Sequence, residues 1–196
     1  MKTFIGAHKL LAVVALGLST VLTGALITGV MIKNSSEAAF SATSGPNAST
    51  WGGGSVILNN DSTGTALFTV PAAKPGDTGT KCITVTYSGT LAANVKEYVS
   101  ASSGTLGQYI DLTIERGTGG SSASCTGFVA EATDYAPGTL GAFQTARTNF
   151  SNGVGTWAPA GGTSSKTYRI TYTIQNNNAA QGLSASATFM WEAQNV

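Results

Sequence analysis

Histidine is almost absent: the single copy, His8, stands near the start of the chain, and no other follows in 196 residues. Serine or cysteine hydrolysis with a histidine base therefore has no base to use. A zinc site of the HExxH kind, which needs two histidines on one helix face, is excluded with it. Charge is scarce as well, with 10 Lys and Arg against 9 Asp and Glu. From Ala39 onward seven positive side chains face eight negative ones, a net charge of minus one, scattered evenly. No basic stripe exists to follow a phosphate backbone, so nucleic acid is not an expected partner. No cofactor or metal is expected either, because Asp61, Asp77 and Asp134 lie singly and no spaced oxygen-ligand loop is present.

Cysteine occurs twice, at Cys82 and Cys125. In an exported chain these two can pair, and a Cys82 to Cys125 bridge is the expectation; two separate buried thiols are the alternative. Reduction of such a bridge should lower the melting temperature.

Export is read from the start of the chain. Leu10 to Ile32 is 23 residues without a charge, preceded by Lys2 and Lys9. A basic start, an apolar run and a small-residue exit at Ser36-Glu37-Ala38-Ala39 form a secretory signal, with cleavage before Ala39 or Phe40. The run could also span a bilayer as a retained anchor. The organisation expected is a removed signal over residues 1–38, a flexible arm over 39–54 and one β-domain over 55–196. The product would be secreted, in an extracellular matrix or at the cell surface.

What the chain has is alternation. Cys82 to Tyr87 sets Ile83, Val85 and Tyr87 on one side; Tyr109 to Glu115 sets Ile110, Leu112 and Ile114 together. Tyr168 to Ile174 and Leu183 to Trp191 alternate most clearly and read as a hairpin with a long loop. Shorter or weaker strands are expected at Ser55–Leu58, Ala66–Val70 and Ala92–Val99. Lys74-Pro75-Gly76-Asp77 suits a type II turn. Cys125 to Asp134 has no clear period, and Gly161 to Ser165 reads as loop. One helix is expected within Thr139 to Phe150, where Leu140, Phe143, Arg147 and Phe150 share a face, Thr139 caps the start and Asn152-Gly153 ends it. Short alternating strands, many turns and one helix predict an all-β antiparallel sandwich.

Candidate sites are few. Asp111 and Glu115 share a strand face, but about 13 Å between their Cα atoms exceeds the roughly 5 to 9.5 Å of paired catalytic carboxyl groups. A solvated strand face is the favoured reading. Trp191 is in register with Phe189 and reads as core, whereas Trp51 and Trp157, in glycine-rich stretches, are candidates for surface binding or subunit contact. Asn34, Asn47, Asn60 and Asn149 each begin an N-x-S triplet, which matters only where the host glycosylates that signal. A sandwich with an extended, low-charge arm also has a sheet edge with which that arm could pair, although Pro46 bars a continuous central strand through it.

Five stretches in order carry a family resemblance: AAFSATS after the leader, then Trp51 to Leu58 with its GGGSVIL, KPGD at Lys74 to Asp77, SGTLAANVK at Ser88 to Lys96, and SATFMWEAQ at Ser186 to Gln194. Together they resemble the TasA/camelysin family. The resemblance implies a jelly-roll sandwich, exported with a SipW-type signal peptidase, that assembles with copies of itself into fibres of biofilm matrices. A minor fibre subunit or accessory anchor is a further implied partner. It also implies that the N-terminal segment of one subunit completes the sheet of the next, here Phe40 to Ser49, beginning Phe40, Ser41, Ala42 and Thr43. Camelysin-like members carry a metallopeptidase label, for which this chain offers no histidine beyond His8. A monomeric surface adhesin binding glycans through Trp51 or Trp157 is the remaining alternative.

Overall fold

Apolar alternation on both sides of one interior builds two sheets here. In the computed structural model, which describes residues 53–62, 64, 66–70 and 73–196, the strands are β1 (Leu58–Asn60), β2 (Thr78–Gly89), β3 (Ala93–Gly104), β4 (Ile110–Thr118), β5 (Val129–Thr139), β6 (Val154–Trp157), β7 (Gly162–Ile174) and β8 (Ala185–Asn195). Among the described residues one α-helix, α1, spans Leu140–Ala146. The larger sheet has the order β1-β2-β7-β4-β5 and the smaller β6-β3-β8, every pairing antiparallel. The described residues form an all-β antiparallel sandwich with one short α-helix. The leader, its cleavage site, the arm Phe40 to Thr43 and Trp51 lie outside the described residues.

The expected inward faces form the core. Ile83, Val85 and Tyr87 of β2 meet Tyr168 and Ile170 of β7 and Leu112 and Ile114 of β4, all buried. Val95 and Val99 of β3 close the interior from the other sheet. Helix α1 seals one end with Leu140 and Phe143, its start capped by Thr139, whose side chain accepts from the Ala142 backbone N–H at 3.1 Å. Lys74 to Asp77 is the expected turn: the Asp77 N–H donates to the Lys74 carbonyl and Gly76 has φ +87, the left-handed value a type II turn requires.

Several expectations need correction. Strands β7 and β8 are not a hairpin, because β7 lies in the five-stranded sheet and β8 in the three-stranded one. Gln175 to Ser184, with a 3-10 turn at Asn178–Ala180, is long enough to carry the chain across the sandwich. Gly161 to Ser165 is not all loop. After Gly161 and Gly162, both at positive φ, Thr163 to Ser165 pair with Thr86 to Ser88, so the neighbouring strand overrides a loop-like composition. Val129 to Thr139 is a strand without alternation because it is a sheet edge exposed on both faces along much of its length. The helix ends at Ala146, and Phe150–Asn152 forms a separate 3-10 turn. Among the described residues Ala66–Val70 pairs with no strand, and of Ser55–Leu58 only Leu58 falls within β1.

Trp157 is corrected too. It lies on β6, paired with Val95, and only 6 % of it is exposed, so its ring is core and offers no surface for a glycan. Trp191 packs against the core with its ring 5.3 Å from that of Tyr168. Among the described residues no helix is long and apolar enough to cross a membrane.

Candidate functional site, an open strand edge above an apolar groove

Among the described residues the two sheets expose four strand edges, and an unpaired edge is a template for another chain unless something blunts it. Here three are blunted. β1 has only 3 residues. β6 has 4, including Gly155 at φ +68. β5 breaks register with β4 at three places, contains Pro137, and carries Glu131 in an ion pair with Lys166. The fourth edge, β8, has 11 residues, no proline and one charge, Glu192, whose Oε2 accepts from the Tyr98 hydroxyl at 2.8 Å.

Beneath that edge the two sheets do not close on each other. A groove of about 610 Å³ runs between β8 and the larger sheet, within the range of about 300 to 1,000 Å³ typical of ligand sites. Ala185, Ala187, Phe189 and Trp191 form one wall; Ile170, Tyr172 and Ile174 form the other. Leu106, Ile110, Leu112 and Leu140 line its depth. Val70, in the lining, is 41 % exposed. Among the described residues the lining has no charged side chain, and its polar side chains are Asn60, Ser62, Tyr172, Ser186 and Thr188, so the groove can bury apolar side chains while the β8 edge supplies backbone hydrogen bonds.

The residues singled out from the sequence fall elsewhere. Cys82 and Cys125 are joined in a disulfide with Cα atoms 5.3 Å apart. The bond straps Gly119 to Phe128 across the outer face of the larger sheet. Ser122 fastens the same strap by donating its N–H to Asp61 Oδ2 at 2.8 Å, and Phe128 sits 4.6 Å from the Arg169 guanidinium. Asp111 accepts from Gln175 at 2.7 Å, and Glu115 is tied to Arg169 at 2.6 Å. Among the described residues no group of three or more His, Cys, Asp or Glu could hold a metal ion.

One buried polar group escaped the sequence reading. Glu97 of β3 is fully enclosed, and among the described residues neither carboxyl oxygen has a hydrogen-bonding protein group. Tyr168 Oη and Trp191 Nε1 are likewise buried without one. Burial pushes the Glu97 carboxyl well above its ordinary range, and the charge of Asp134 adds to the shift. Asp134 itself holds Arg116 through Nε at 2.9 Å and Nη2 at 3.2 Å. The alternation Ala93, Val95, Glu97, Val99 was the available signal, since it sets Glu97 inside.

No protein-family model matches the chain, and no curated protein matches it.

Proposed function

We propose that the protein is a secreted structural subunit that assembles with copies of itself into extracellular or cell-surface fibres of the biofilm-matrix type, the arm Phe40–Ser49 of one subunit adding a strand to the β8 edge of the next. The observation that carries this reading is the combination of one long unblunted edge with an apolar groove directly beneath it. Backbone pairing would supply affinity and the groove would accept alternate apolar side chains of the incoming strand. The export signal, the low charge and the resemblance to TasA-like subunits favour the same reading, with a SipW-type signal peptidase releasing the arm.

A neighbour's arm fits better than the subunit's own. The described chain starts at Gly53, and Ser55 is held at the end of β2 by bonds from Thr90, close to where Val196 bonds Ala92. An arm folded back from there along β8 toward Ala185 would run parallel to that strand, and parallel pairing is the less stable kind. A second subunit can approach antiparallel.

Electron microscopy of purified chain beginning at Ala39 tests the reading, beside a variant lacking Phe40 to Ser49. Regular thin filaments are expected from the first and a monomer with unchanged melting temperature from the second. Filaments from the shortened variant would rule out the arm. A persistent monomer of the longer form would point to an arm lodged in its own groove.

A further inference from the structure

Strands β1 and β2 are antiparallel neighbours, a connection that two to five residues can close, roughly. Seventeen residues, Asp61 to Asp77, separate them. Both ends of this excursion are fixed: the Asp61 N–H donates to Thr84 O, and the Gly76 N–H donates to Ile174 O. Its middle differs. Among the described residues, none of Ala66 to Val70 makes a backbone hydrogen bond to a strand. Leu67 and Phe68 instead line one side of the groove with half-buried side chains. Phe68 meets Tyr172 edge-on, ring centres 5.0 Å apart at 88°. Gly64 and Gly76, at φ +77 and +87, bracket the segment with conformations that only glycine adopts readily.

The sequence of this segment matches the start of the arm. Leu67-Phe68-Thr69-Val70 and Ala39-Phe40-Ser41-Ala42 both read apolar, phenylalanine, hydroxyl, aliphatic. We propose that Ala66 to Val70 is a resident plug of the groove, that Phe68 occupies against Tyr172 the place taken by Phe40 of an incoming subunit, and that displacement of the plug gates assembly. This rests on the assembly reading above. The exchange is favourable in one direction because the plug contributes side-chain contacts alone, whereas an arriving strand keeps those contacts and adds a backbone ladder along β8. Until it arrives, the plug covers apolar surface that would otherwise favour indiscriminate association.

The test follows assembly of chain beginning at Ala39 by light scattering over a concentration series, for the unaltered protein, Phe68→Ala and Phe40→Ala. An aromatic edge contact removed from the closed form should lower the critical concentration of Phe68→Ala by about two- to tenfold. Phe40→Ala should raise it. Phe68→Leu, which keeps apolar volume but loses the ring contact, gives the same direction should Phe68→Ala melt too low to compare. If both Phe68 variants assemble like the unaltered chain, or more poorly, while Phe40→Ala is impaired, the plug is wrong and the arm stands. If Phe40→Ala assembles like the unaltered chain, the arm is wrong and the plug falls with it.

Discussion

Replacing Cys82 and Cys125 together by alanine is expected to lower the unfolding free energy by about 4 kcal/mol. The two are 43 positions apart, and closing a loop of that length removes much of the freedom of the unfolded chain. The folded state loses little directly, because the strap keeps the Ser122 to Asp61 hydrogen bonds and the Phe128 contact with Arg169. Those contacts are exposed or half-exposed and would not hold the strap with comparable strength. Urea denaturation is the measurement. The midpoint should fall and the slope should rise, since an uncrosslinked unfolded chain exposes more surface. The unaltered protein treated with reductant should approach the variant. A loss below about 1 kcal/mol would mean that the unfolded chain keeps this loop closed without the bond.

The strands that face the interior were legible because burial of one face writes alternation into the sequence. Ile83, Val85 and Tyr87, and Leu112 and Ile114, are buried as their spacing requires. Thr139 was legible as a cap because its chemistry is local. Alternation does not say which sheet a strand joins, and so β7 and β8 read as partners when they face each other across the core. It also fails at an edge such as β5, where neither face is consistently covered. The candidate site was half legible. Ala185, Ala187, Phe189 and Trp191 read correctly as an inward face, but what lies opposite them is a groove with only a partial cover. An open place is a property of the topology, three strands facing five, and no residue type marks it. Trp157 misled for a related reason: glycine before it suggested a loop, whereas Gly155 serves as the bend that admits a short strand.

Glu97→Gln is expected to flatten the dependence of stability on pH and to make the protein more stable than the unaltered chain at neutral and alkaline pH. The folded carboxyl sits well above its ordinary value of 4.5, chiefly through burial and then through Asp134. Folding therefore favours the protonated form. This group's contribution is complete below the unfolded value and is lost as pH rises toward the folded one. Within that window the loss approaches about 1.4 kcal/mol per pH unit, since the unfolded chain has released a proton that the folded one retains. Glutamine keeps the shape and cannot ionise. The charged groups around the site do not relieve Glu97: Asp134 on β5 shares its sign and already engages Arg116 of β4, while Tyr168 on β7 has its own pKa raised by burial and by Glu97. Urea midpoints at pH 5 and pH 8 decide the matter. The two proteins should be close at pH 5, and at pH 8 the unaltered chain should be the less stable of the two. Parallel profiles for the two would show that Glu97 gives up its proton as readily in the fold as outside it, and that the interior supplies it with a partner when charged.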